Sequence, residues 1–294
     1  MIFDQAARAA CDHFTAHLPW RFGRLRRLLS TDCLDIRLGR LYGEMQDISY
    51  EETGHVGVIT LMRPEVHNAL RLETYAELTE LVHNATARVL VITGAGRSFC
   101  SGDDVRAVSG GAGPVFDEEI TPAAGALLAT DIPVIAAVNG TAVGWGMELA
   151  LLADIRIAAR SARFGELFVK RGLCSDVAGL GRLTQIVGRE LAAELLFTGE
   201  MIGAERARQI GLVSRVVDDE QVMPVALELA EKIAANPPLA VAATKRGLRL
   251  ALDPDWNEFG RWVTATQTSL FTTVDHREGV RSFLEKREPR YVGR

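Results

Sequence analysis

A chain of 294 residues, 48% hydrophobic and 24% charged, is long and apolar enough to bury one large core, with or without an appendage. Its formal net charge of -5 supplies no broad cationic field for nucleic acid, and its scattered cysteines (Cys11, Cys33, Cys100, Cys174) form neither a CxxC pair nor a zinc-ligand spacing, which fits a reducing, cytoplasmic setting. The longest uncharged apolar stretch, Ile132 to Met147, is broken by Pro133, Asn139, Gly140, Gly144 and Gly146 and cannot span a bilayer, and the N-terminus, with Asp4 and Asp12, lacks the apolar run of a secretory signal.

Residues 1–47 interleave arginines (Arg8, Arg21, Arg24, Arg26, Arg27) with apolar residues, contain no lysine, and read as an N-terminal extension. From Ser49 onward, "VGVITLM" (56–62), "RVLVITG" (88–94), "PVIAAVNG" (133–140) and "IRIAA" (155–159) are β-branched runs bounded by Gly, Pro or charge, the pattern of buried strands. Between them "LETYAELTELVHNATA", "PAAGALLATD" and "MELALLAD" have helical composition or spacing. This alternation predicts an α/β core over 48–200 with parallel pairing and right-handed crossovers. After about Ala178 helical segments such as "RELAAELLFTG" and "VALELAEKIAANP" dominate, which makes 201–294 a helical region.

Several familiar chemistries lack their residues. "VITGAGRSF" follows a strand but has Phe99 where a third glycine of a dinucleotide turn belongs; a P-loop, a GxSxG elbow and an HExxH helix are absent. What remains are two glycine turns, each after a strand. In "RSFCSGDDV" Gly102 lets the amide of Asp103 point into a cavity, and in "NGTAVGWGMEL" the glycines flank a helix start, where first amides have no intrahelical partner and the dipole is positive. Two such N–H groups converging on one point would form an oxyanion hole; each turn alone could equally be an ordinary one. Glu148, among Met147, Leu149, Ala150 and Leu151, is a buried carboxylate that must be salt-bridged or functional. Asp176 precedes a helical run and is either an N-cap or an acid of the site. Glu166 is the weaker candidate, expected to be solvated or paired with Lys170 or Arg171, and His67 is expected to have a surface role.

The segments "RPEVHNAL", "ITGAGRSFCSGDDV", "PVIAAVNGTAVGWGMELALLADIRIA", "ARFGELFVKRGL" and "DHREGVRSFLEKREPRY", in that order over about residues 50–292, resemble the enoyl-CoA hydratase/isomerase (crotonase) family. The resemblance implies a crotonase-like ββα spiral with a C-terminal helical trimerisation region, an acyl-CoA thioester substrate, a homotrimer or hexamer, and no cofactor apart from the CoA of the substrate. It implies that the amides of Asp103 and Trp145 bind the thioester oxygen, and that Val66, His67, Ser101, Asp103, Asp104, Val105, Arg106 and Phe168 belong to the substrate and CoA site, with Phe283 and Lys286 assisting. Glu148 falls on the first acid of the hydratases. Phe168 stands where their second glutamate belongs, and Asp176, eight residues later, falls where double-bond isomerases carry an aspartate base. Trp145 replaces the usual glycine of the second turn, which sets an indole against the acyl pocket. Isomerisation is therefore expected ahead of hydration, and CoA-thioester or C–C hydrolysis trails. A non-catalytic acyl-CoA binder or RNA-binding relative is the alternative of another class; the acidic charge opposes RNA, and the two retained turns with their acids oppose silence.

Overall fold

The computed structural model describes residues 46–104, 121–176, 178–251 and 272–294, without the side chains of 280, 283 and 284. Most of the expected N-terminal extension, with Val105 and Arg106, therefore lies outside the described residues, as does the side chain of Phe283. The described elements belong to one unit, Glu44–Arg294.

Six strands make the larger sheet: β1 Ile48–Thr53, β2 Val56–Leu61, β3 Val89–Gly94, β5 Val134–Val138, β7 Ile155–Ala159 and β10 Arg215–Val217, hydrogen-bonded in that order. Only the β1–β2 pair is antiparallel. A second sheet joins β4 Ser98–Cys100, β6 Thr141–Val143, β8 Arg163–Gly165 and β9 Ile202–Gly203. The chain passes from β3 into β4, from β5 into β6 and from β7 into β8 after only a short turn each time. Helices α1 Leu72–Asn84, α2 Pro122–Ala129 and α3 Trp145–Leu152 then lead into β3, β5 and β7. Repeated three times, this strand, strand, helix course is the expected spiral.

The apolar runs explain the central strands. Every residue of β3 and β5 is buried, as parallel strands covered on both faces must be, and α7 Val222–Ala234 packs on β2, β3, β5 and β7. The local pattern missed the remaining strands for an identifiable reason. β4, β6 and β8 span three residues each, too few to show a period of two, and β1 carries Glu51 and Glu52 on an edge that faces water. The helical third does follow: α5 Arg189–Thr198, α6 Ala204–Gln209, α7, α8 Pro238–Leu250 and α9 Val274–Glu285. Among the described residues no helix is long and apolar enough to cross a membrane.

Buried cations fasten this helical layer to the spiral. Arg156 of β7 donates from Nε to the carbonyl of Leu212 (2.7 Å) and from Nη1 to those of Ala153 (2.7 Å) and Ala150 (3.4 Å). Lys245 of α8 reaches Asp154 (2.8 Å) and the carbonyl of Ile132 (2.7 Å). Arg156→Met keeps most of the volume but leaves buried carbonyls without donors, so it is expected to lower the unfolding free energy by about 3 kcal/mol. Denaturant melts compared with wild type measure this; an unchanged midpoint would show that these bonds add nothing.

Candidate active site

Three segments meet here: the turn after β4, the turn between β6 and α3, and the loop that follows β8. Gly102 has φ +83, and a Cβ on it would stand 2.8 Å from the carbonyl oxygen of Val143 and 3.1 Å from the nitrogen of Trp145. Any side chain there would force the first two turns apart. On the far side of the contact, a Cβ on Gly146 would lie 2.1 Å from the carbonyl oxygen of Cys100.

Trp145 is the first residue of α3, and its N–H has no preceding helical turn to bond. The bridge between Leu70 and Asp103 uses the N–H of Leu70, given to Gly102, and that of Asp104, given to Leu70 (both 2.8 Å). Neither the Asp103 nor the Trp145 N–H is taken by a main-chain acceptor among the described residues; the Asp103 N–H faces its own carboxyl group. Two such donors on adjoining turns, one at a helix N-terminus, favour an oxygen that gains negative charge.

The side chains lock these turns together. Trp145 is buried, its Nε1 donates to Asp176 Oδ2 (3.2 Å), and its ring meets Tyr75 of α1 edge-on at 4.7 Å. The Tyr75 hydroxyl in turn donates to Asp103 Oδ1 (2.5 Å). Burial pushes the Asp103 carboxyl above its ordinary range, the Tyr75 bond opposes this, and the charge of Asp176 adds to it.

Glu148 is buried and has no cationic partner among the described ion pairs. Its Oε1 accepts the N–H of Asp176 (2.9 Å) and its Oε2 that of Gly179 (2.7 Å), with the N–H of Ala178 contributing. The Ala178 and Gly179 amides are the first of the helical segment Ala178–Leu183, so a carboxylate from α3 caps it from outside and also holds the amide of Asp176 just before it. Asp176 contributes its main-chain carbonyl to the N–H of Leu180 (3.0 Å).

The expectation that Glu166 is solvated or paired with Lys170 or Arg171 is overturned. It is 1% exposed, takes the Ser175 hydroxyl on Oε2 (3.1 Å), and has a buried Oε1 with no hydrogen-bond partner among the described residues. A Cβ on Gly179 would lie 2.6 Å from Glu148 Oε1 and 3.1 Å from Glu166 Cδ, so the two carboxyl groups flank one glycine. Burial pushes Glu166 up to about 9, the charge of Glu148 adding to it, and burial pushes Glu148 up to about 7 against the pull of its N–H donors.

The other predicted residues are placed as follows. His67, in a left-handed turn and partly exposed, bonds Ser98 Oγ through Nδ1 (2.9 Å), while its Nε2 lies 3.4 Å from Arg97 Nη2 on the exposed side. Ser101 gives its N–H to the His67 carbonyl (3.0 Å) and its hydroxyl to that of Val66 (3.2 Å). Asp104 pairs with Arg63 (3.0 Å), Phe168 opens a short turn through Arg171, and Lys286 follows α9 as an exposed residue. Reading the sequence missed Tyr75 and Ser175 altogether. Tyr75 borders the buried positions Thr74 and Leu78 of α1, a signal of packing but not of what it packs against. Among the described residues no group of three or more His, Cys, Asp or Glu side chains is arranged to hold a metal ion.

The sequence profile of the enoyl-CoA hydratase/isomerase family matches residues 51–294. A probable enoyl-CoA hydratase of Rhodobacter capsulatus is 40% identical over 252 residues, covering 84% of this chain and 98% of that protein. The 1,2-epoxyphenylacetyl-CoA isomerase of Escherichia coli is 37% identical over 259 residues, covering 84% and 98%. The crystal structure of an enoyl-CoA hydratase from Bacillus anthracis superposes with a TM-score of 0.79 at 34% identity, covering 85% of this chain and all of that one.

Glu148 and Glu166 both bind protons more tightly folded than unfolded, where glutamate titrates near about 4.3. Their contribution to stability is therefore full below that value and is lost as the pH rises through about 7 and about 9. Glu166→Gln is expected to flatten the alkaline part of this decline. Unfolding free energies measured from neutral to alkaline pH check it, and parallel curves for the two proteins would contradict it.

Proposed function

Because the chain belongs to the enoyl-CoA hydratase/isomerase family, we propose that it binds an acyl-CoA thioester and stabilises the thioester enolate between the N–H groups of Asp103 and Trp145. The observation that carries this reading is the contact of the two turns at Gly102, which sets the Trp145 nitrogen beside the peptide of Asp103. As a carboxylate takes a proton from carbon, the electron pair moves onto the thioester oxygen. Two preset donors stabilise that charge, and losing one typically costs about 3 to 4 kcal/mol of the barrier. The proton then returns from the carboxylic acid to a different carbon.

In this reading Asp176 and Glu148 move the protons. The Trp145 indole holds the Asp176 carboxyl beside the amide it would serve, and Asp176 remains partly open to solvent, whereas Glu148 lies below it. This layout, with Phe168 in place of a second glutamate, favours double-bond isomerisation of an unsaturated acyl-CoA. The E. coli isomerase among the relatives is in keeping with that choice. Hydration of a 2-enoyl-CoA is the second reading, supported by the buried Glu166 beside Glu148 and by the relatives named hydratases. The CoA belongs to the substrate in either case, and the reaction needs no further cofactor. The exposed apolar side chains Phe197, Leu173 and Leu180 suit burial between copies, and we read the chain as a homotrimer or hexamer, which light scattering tests directly.

Conversion of 3-enoyl-CoA and water addition to 2-enoyl-CoA, assayed side by side, separate the two reactions. Asp176→Asn and Glu148→Gln are each expected to lower kcat at least about 100-fold on the true substrate. Gly102→Ala is expected to do the same by separating the two donors. Full turnover of Asp176→Asn on every substrate would remove Asp176 from the reaction.

A further inference from the structure

Glu166 has no part in the isomerisation just described, yet it is buried and one of its oxygens has no hydrogen-bond partner among the described residues. Its neighbour differs in one respect that matters. Glu148 places both oxygens on main-chain N–H groups, those of Asp176 and Gly179, with Ala178 adding a third. Glu166 has a single hydroxyl, that of Ser175. Hydrogen bonds from N–H groups stabilise the charged form of a carboxyl, and a bare buried oxygen penalises it, so one member of the pair is built to be ionised and the other to be neutral.

Among the described residues no cation is hydrogen-bonded to either carboxyl group. Both carboxyl groups border Gly179, within about 6 Å of each other, a separation at which two like charges strongly disfavour each other out of water. The helical segment contributes Ala178, Gly179 and Leu183, all buried and uncharged. The charged group that faces both from the intervening loop is Asp176, a third acid.

We propose that Glu148 and Glu166 form a diacid that shares a single proton, with Glu166 as the protonated member and as the positioning residue that keeps Glu148 available as a carboxylate. With the proton on Oε2, Glu166 donates to the Ser175 oxygen and leaves only a neutral carbonyl oxygen uncovered. When Glu148 accepts a proton during turnover the pair holds two, and it returns to one when that proton passes to carbon. The turnover part of this inference rests on the reading of Glu148 as a proton-moving group; the shared proton does not.

Carbon-13 NMR of glutamate-labelled wild-type protein tests the pair without any substrate. Two buried carboxyl signals are expected to titrate in separate steps, the upper one above neutrality. Glu148→Gln is expected to lower the upper step by about one unit or more, because the like charge is gone. A Glu166 signal that ionises in the ordinary carboxylate range, or an upper step that Glu148→Gln leaves in place, would overturn the diacid, and the first of these needs no variant to fold. Glu166→Gln, which keeps shape and neutrality, is expected to retain turnover and to lose the alkaline limb of the kcat profile. An alkaline limb that persists in this variant would overturn the positioning role. Failure of the functional reading shows up elsewhere, as turnover indifferent to Glu148→Gln and Asp176→Asn while the titrations stay as described.

Discussion

The site depends on two backbone turns that touch with no side chain between them. β4 and β6 run parallel in the small sheet, and the chain leaves them at Gly102 and at Gly144–Gly146. A Cβ at Gly102 would press on Val143 and Trp145, and one at Gly146 on the carbonyl of Cys100. Contact at this range brings close together a loop amide and a helix-start amide that are more than forty positions apart in the chain. Neither is taken by a main-chain acceptor among the described residues. Electrostatic stabilisation by fixed dipoles works only where the donors are already in place and water need not reorganise, and backbone groups held by a packed seam satisfy that condition better than mobile side chains.

Around this seam the acids are held by different means. Glu148 is tied by main-chain N–H groups to the loop that carries Asp176, so movement of α3 would move the loop with it. Asp176 is held at its carboxyl by the indole of Trp145, whose own amide belongs to the seam. The tryptophan therefore adds to a backbone N–H that a glycine would equally present a ring whose Nε1 holds the Asp176 carboxyl. Tyr75 closes the ring of contacts by packing on the indole and bonding Asp103.

How far the sequence discloses this follows from the range of each interaction. β3, β5, β7 and their helices were legible because burial on both faces writes itself as an uninterrupted apolar run. The seam was legible too, since glycines before a helix start and after a strand leave a local mark. The three-residue strands of the small sheet were not, because their pairing is specified by neighbours in the spiral rather than by their own alternation. Glu148 was recognised as buried from the residues that flank it. Glu166 was misjudged because Lys170 and Arg171 stand close to it in sequence, whereas the fold turns it inward and sets Ser175 and Glu148 against it. The partners of Tyr75 come from the turn after β4 and from α3, and nothing within its own helix names them.

An acid-rich site poses an energetic problem for the proposed enolate. Asp176 acts on Asp103, Glu148 and Glu166, Glu148 acts on Glu166, and four ionised carboxylates around an enolate would raise its energy rather than lower it. The structure meets this with a distinct partner for each: a phenol for Asp103, amides for Glu148, an indole N–H for Asp176 and a hydroxyl for Glu166. None of these partners is a cation, although the charge of Arg171 acts on Asp103. In the proposed diacid the balance comes from protonation of Glu166, which has one hydroxyl where Glu148 has main-chain N–H groups. A neutral Glu166 would remove one charge from beside Glu148 without adding a cation that would compete with the proposed enolate for it. The poor solvation of that one side chain would thus leave Glu148 available as a carboxylate.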